Sequence, residues 1–185
     1  MALPSVIRRF ELALADSDRD VFEQLDLRVA QHPSESERYL VARVLARALQ
    51  HTEGLEFSKG GVSDDSEPAL IHRDLRGDLR AWIEIGSPSP DRLHKATKAS
   101  PRVVVYAWKQ PKELVAAILE RGVHRAEHIE LYAFDPDFLD AIAATLDRNN
   151  TWGVSVAGGA LYVTCGKEPS EKLFESEVRQ LQVAG

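Results

Sequence analysis

Apolar and polar residues alternate from the start of the chain. Val6, Phe10, Leu12 and Leu14 have strand spacing, and Asp16-Ser17-Asp18-Arg19-Asp20 interrupts it as a turn. Leu25, Leu27 and Val29 then alternate with Asp26, Arg28 and Ala30, so two half-buried strands are predicted. The period next lengthens to that of a helix over 34–50. Val41, Val44, Leu45, Ala48 and Leu49 fall on one face, Ser34 can cap the start, and Glu37 follows three residues on. Leu55 to Ser58 reads as a short strand leading into Gly60-Gly61. Pro68 to Arg73 and Arg80 to Ile85 read as a hairpin around Arg76-Gly77. A helix is predicted over 90–99. Val103 to Trp108 is an unbroken apolar run, as for a strand covered on both faces. A helix over 111–121 ends at Gly122, and Ile129, Leu131 and Ala133 form another strand. Asp135 starts a helix over 136–146. A hairpin through Gly158-Gly159 joins Trp152, Val154 and Val156 to Leu161, Val163 and Cys165, and a last strand falls between Leu173 and Leu181. There is no repeat and no linker-like tract, so the expectation is a single domain over 1–185 of mixed α/β (α+β) class.

Composition narrows the function classes. The 185 residues are 44% hydrophobic and 28% charged, enough for a sizeable core. No apolar run is long enough to span a bilayer, and the first residues lack the pattern of a signal peptide; no membrane association and a cytoplasmic location are expected. One cysteine excludes an internal disulfide and a cysteine zinc knuckle. A net charge of -6 argues against a protein that holds nucleic acid mainly through a basic surface, yet leaves room for a local basic groove beside an acidic site.

Such a groove is suggested by one stretch. Glu84 sits between Ile83 and Ile85 inside a strand, where an uncharged side chain would be usual. With the hairpin centred on Arg76-Gly77, Ala69 lies opposite Glu84, and Glu67 and Asp65 share the face of Glu84. Asp74 is about five residues away along the strand, roughly 16 Å, too far to join them. Carboxylates this close resist ionising together, and Mg²⁺ or Mn²⁺ relieves that repulsion. Arg92, Lys95 and Lys98 follow at three-residue spacing on a helix, with Arg92 and Lys98 candidates for a substrate phosphate and Lys95 for stabilising charge on it. These are the parts of a metal-dependent phosphodiester-cleaving site. His124 and His128 have ligand spacing but no third ligand, Cys165 reads as a buried thiol, and no nucleophile elbow, phosphate-binding loop or dinucleotide fingerprint occurs.

The predicted order helix, three strands, helix, strand resembles the αβββαβ core of the PD-(D/E)XK, or restriction-endonuclease-like, superfamily, here with additional strands at both termini. The sequence itself is similar to the YaeQ family of small bacterial proteins. The matching pieces are His32-Pro33-Ser34-Glu35 with Arg43 and Leu45-Ala46; Phe57-Ser58-Lys59-Gly60; Asp65 and Glu67-Pro68; Trp82-Ile83-Glu84-Ile85-Gly86; and Pro88, Arg92 and Lys95-Ala96. The resemblance implies roles for four positions. Glu35 is the acid from the first helix, Glu67 or Asp65 the second-strand acid, and Glu84 the third-strand acid. Lys95 replaces the lysine that normally stands two residues after that acid, where this chain has Gly86. The implied activity is that of a Mg²⁺-dependent nuclease or phosphodiesterase-like protein. The alternative is a non-catalytic module that binds nucleic acid or a protein partner on a degenerate nuclease fold.

Overall fold

The computed structural model describes residues 4–59 and 66–183. Asp65, Gly60 and Gly61 lie outside the described residues. Eleven strands and four α-helices follow one another among the described residues, in a mixed α+β arrangement of two mixed sheets. In the first sheet, β1 (Val6–Asp16) and β2 (Val21–Gln31) form a long antiparallel hairpin. β8 (Asn149–Ala157) lies parallel to β1, followed outward by β9 (Ala160–Cys165) and β10 (Lys172–Glu177). The second sheet has the order β11-β7-β6-β5-β4-β3. Its strands are β3 (Leu55–Phe57), β4 (Leu70–Arg73), β5 (Leu79–Ile85), β6 (Val103–Ala107), β7 (Ile129–Ala133) and β11 (Arg179–Leu181). β5, β6 and β7 run parallel.

Two parallel crossovers need two helices, and the sequence supplies them as α2 (Pro90–Ala99) and α3 (Pro111–Arg121). Leu93 and Ala96 of α2 and Leu114 and Ile118 of α3 share a core cluster with Val103, Val105 and Leu131. The other face of this sheet, with Ile83, Ile85, Val104 and Tyr106, meets α1 (Glu37–Leu49), α4 (Pro136–Ala143) and the inner residues Phe10, Leu12 and Leu14 of the first sheet. α1 is consequently covered on almost every side. Leu40 through Ala48 are all buried, including Arg43 and Arg47, where the apolar periodicity predicted a single buried face.

Two helix limits differ from the sequence reading. Ser36, not Ser34, caps α1 by accepting from the Tyr39 backbone N–H, because the Ser34 hydroxyl is held at 2.6 Å by the His32 ring. α4 ends at Ala143 rather than at 146, since Thr145 and Leu146 turn back toward Ile142 and Ala143 to start the run into β8. The hairpin register is the expected one, with Leu70 opposite Ile83, Ile71 opposite Trp82 and His72 opposite Ala81. Among the described residues no helix is long and apolar enough to cross a membrane.

Candidate functional site

The carboxyl ends of β5 and β6 open onto a cleft of about 620 Å³. Its walls include Glu67 from the segment before β4, Glu84 from β5, Arg92 and Lys95 from α2, Tyr39 from α1 and Trp108 just after β6. Parallel sheets bind ligands at this end, where loops leave the strands and the sheet no longer fills the space.

Glu84 is 4% exposed. The Trp82 indole N–H donates to its Oε1 at 2.6 Å, and the Arg92 Nε–H donates to the same oxygen at 2.7 Å. Among the described residues, Oε2 makes no hydrogen bond. Arg92 also donates through Nη2 to the carbonyl oxygen of Glu67, so one guanidinium ties β5 to the segment carrying Glu67. Trp82 packs its ring on the core beneath α2 and α3 and uses only its N–H at the site. Burial pushes the Glu84 carboxyl above the ordinary glutamate range, and the hydrogen bonds from Trp82 and Arg92 offset only part of that shift. A carboxyl whose pKa is raised in the folded state loses stabilisation as pH rises, beginning near the ordinary glutamate value. Glu84→Gln removes that titration. The melting temperature of the parent chain relative to Glu84→Gln should therefore fall as the pH is raised above the ordinary glutamate value. A relative melting temperature that rises over this range would show that Arg92 and Trp82 outweigh burial.

Glu67 and Lys95 face the same cleft, and neither side chain has a hydrogen-bond or ion-pair partner among the described residues. Lys98 does not line the cleft. Residues six apart on a helix of 3.6 residues per turn diverge by about 120°, so Arg92 and Lys95 can face the acids while Lys98 turns to solvent. Arg92 is engaged with Glu84 and Glu67 and does not stand ready for a phosphate. Glu35 lies outside the wall of the cleft. It precedes the Ser36 cap, is itself buried, accepts from Arg43 Nη2 at 2.9 Å and from the His32 backbone N–H at 3.2 Å, and belongs to a buried ion pair behind Tyr39. Among the described residues no three His, Cys, Asp or Glu side chains form a metal-ligating group. His124 meets His94 rather than His128, with ring centroids 6.5 Å apart.

The backbone at position 86 favours glycine over any longer residue, lysine included. Gly86 has φ +91°, a backbone conformation that glycine tolerates best. A Cβ there would lie in ordinary contact with the rings, 3.5 Å from that of Trp108 and 3.8 Å from that of Tyr39, so it is the backbone conformation that disfavours a side chain. Lys95 lines the cleft from α2.

Two wall residues, Tyr39 and Trp108, carry no motif in the sequence. Their rings meet edge to face with centroids 6.2 Å apart. Burial holds the Tyr39 phenol neutral, pushed up to about 12, in the field of Arg43, Glu84, Glu35 and Arg92. The sequence signal for Trp108 was its place at the end of the most apolar strand; Tyr39 gave none beyond its place in α1.

Comparison with known proteins is consistent over nearly the whole chain. A family model described as YaeQ protein matches residues 1–172. The YaeQ protein of Escherichia coli (strain K12), described as uncharacterized, is 26% identical over 172 residues, covering 92% of this chain and 94% of its own length. Its counterpart in Salmonella typhi is 27% identical over 169 residues, covering 89% of this chain and 91% of its own. The crystal structure of the YaeQ protein from Pseudomonas syringae superposes with a TM-score of 0.85 at 30% identity, over 100% of this chain and 98% of that one. The YaeQ protein from Xanthomonas axonopodis pv. citri gives 0.81 at 31% identity, over 95% of this chain and 98% of that one.

Proposed function

We propose a function on one premise: the chain belongs to the YaeQ family. It is a metal-dependent phosphodiesterase-like protein acting on nucleic acid, on a PD-(D/E)XK-like core formed by α1, β3, β4, β5, α2 and β6. The observation that carries this reading is the convergence of Glu84, Glu67 and Lys95 on one cleft at the strand ends. The donor set suits a hard divalent cation. Glu84 Oε2 and the Glu67 carboxylate are both uncommitted among the described residues, and Mg²⁺ commonly takes only one or two carboxylates and keeps several waters. When bound there, Mg²⁺ or Mn²⁺ supplies Lewis-acid polarisation of a phosphoryl oxygen and a water of lowered pKa.

The chain's own residues do the rest. Arg92 and Trp82 fix Glu84 by one oxygen and leave the other without a hydrogen bond among the described residues. Arg92 also anchors the Glu67 segment, which sets the spacing of the two acids. Lys95 brings an ammonium group to the place where negative charge grows on the phosphorus oxygens. Asp65, two residues from Glu67 in sequence, is a candidate third acid.

A second reading, a non-catalytic module for nucleic acid or a protein partner, draws on one observation: Arg92 already compensates the charge of Glu84. A screen of DNA, RNA and cyclic or bis-ester phosphodiesters with Mg²⁺ and with Mn²⁺ separates the two. Metal-dependent cleavage that is lost in Glu84→Gln supports the enzyme. Metal-independent binding without turnover supports the module.

A further inference from the structure

We propose that the cleft receives an unpaired nucleotide, its base laid against Trp108 and its phosphate directed toward Lys95. This rests on the phosphodiesterase-like reading and specifies the strand it acts on.

Trp108 is an unusual residue for its place. It follows β6 directly, where the preceding five residues are fully buried, yet the indole itself is only half-buried. It stands between two hollows. One is the acid cleft of about 620 Å³, and the other, of about 520 Å³, is lined on its far side by Arg38 and Asp140. Its indole N–H has no hydrogen-bond partner among the described residues, whereas a tryptophan buried for packing normally finds one. Tyr39 braces the ring edge to face, and Gly86 leaves the floor between the two rings without a side chain. The Tyr39 hydroxyl is likewise unpartnered among the described residues, and it is a neutral donor set beside the acids.

Charge points the same way. Glu67, Glu84 and Asp91 on the wall outnumber Arg92 and Lys95, so the cleft carries no cationic excess for holding a phosphate backbone. Affinity must then come from the base, and aromatic side chains bind bases through their exposed π-faces. In a duplex those faces are covered by neighbouring pairs. An unpaired strand or an extruded nucleotide offers them, and the cleft has the size of a small-ligand site rather than of a duplex groove.

The test is fluorescence anisotropy with short fluorescein-labelled oligonucleotides in Ca²⁺, comparing single-stranded DNA, single-stranded RNA, the duplexes, and single strands carrying one abasic position. Single strands should bind at least about tenfold more tightly than duplexes, and one abasic position should cost a similar factor, the lower range for a base–aromatic stack. Trp108→Ala should lose the same factor while Trp108→Phe retains most of the affinity. The DNA and RNA arms then read which sugar is accepted. The abasic series uses the parent protein and so remains decisive if a Trp108 variant folds poorly. Equal binding of duplex and single strand, indifference to the abasic position, or no binding of any strand would overturn the proposal. The phosphodiesterase-like reading is judged separately, by whether Glu84→Gln abolishes metal-dependent cleavage. If it does while Trp108→Ala and the abasic strand behave as the parent, the acids stand and the base platform falls.

Discussion

Glu84→Gln is expected to reduce metal-dependent phosphodiester cleavage by at least about a hundredfold while leaving the fold intact. Glutamine keeps the shape of the side chain and can still accept from Trp82 and Arg92 through its carbonyl oxygen. It removes the negative charge from an acid that is fixed by two donors and buried at the strand end. A cation bound at such a site is worth several kcal/mol of transition-state stabilisation, and each 1.36 kcal/mol is about tenfold in rate. On the proposed mechanism Lys95→Met should cost roughly a hundredfold or more, since it removes an uncommitted positive group from the cleft where charge would develop. Circular dichroism confirms the fold, and initial rates with Mn²⁺ read the loss. Unchanged cleavage in Glu84→Gln would move the chemistry to another part of the molecule.

The largest effect on stability is expected at Arg43. Its side chain is 2% exposed and that of its partner Glu35 is 0% exposed. Arg43 Nη2 also donates to the Ala30 carbonyl at 3.0 Å, and the guanidinium lies 5.4 Å from the Phe57 ring centroid. One side chain thereby joins β2, the start of α1 and β3. Arg43→Ala leaves Glu35 buried without its counter-charge and opens a cavity. Breaking a buried pair in this way costs about 3–5 kcal/mol, which lowers the melting temperature of a chain this size by roughly 6–20 °C. Glu35 would be driven to take up a proton, since burial already pushes its carboxyl upward even with Arg43 present. The double variant Arg43→Met/Glu35→Leu should recover most of the loss, because no uncompensated charge then remains. Thermal unfolding followed by circular dichroism checks both. A fall of less than a few degrees in Arg43→Ala would mean that the pair contributes little, and no recovery in the double variant would locate the loss in packing.

Glu35 also marks how far local pattern reaches. Its resemblance-derived role placed it with the acids of the cleft, whereas the chain buries it on Arg43, a partner about two helical turns on that lies outside the apolar face read from the sequence. Elements set by residues within a few positions of one another were legible. α2, α3 and β7 have the limits that Pro90, Pro111, Gly122 and the Ile129-Leu131-Ala133 alternation predict, and the hairpin register follows from its turn. Long-range pairing was not. Nothing in the alternation of β1 says that β8, from the far end of the chain, lies parallel to it and divides the strands into two sheets. The same holds within the site. Glu84 announced itself as an acid in an apolar strand. Arg92 looked like a phosphate ligand because its neighbours on the helix are basic, and only the packing of α2 over β5 shows that it holds Glu84. Tyr39 and Trp108 look in sequence like any core aromatic residues, and only the fold sets their rings beside Gly86 on the wall of one cleft.

The most direct measurement is calorimetric titration of the metal-free protein with Mn²⁺ and Mg²⁺, repeated on Glu84→Gln and Glu67→Gln. If the two carboxylates share one cation, the parent binds with unit stoichiometry, and each substitution weakens binding at least about tenfold, as expected for loss of a ligand rather than of a supporting contact. Equal binding by the parent and both variants, or no binding by the parent at millimolar metal, would contradict a shared carboxylate site.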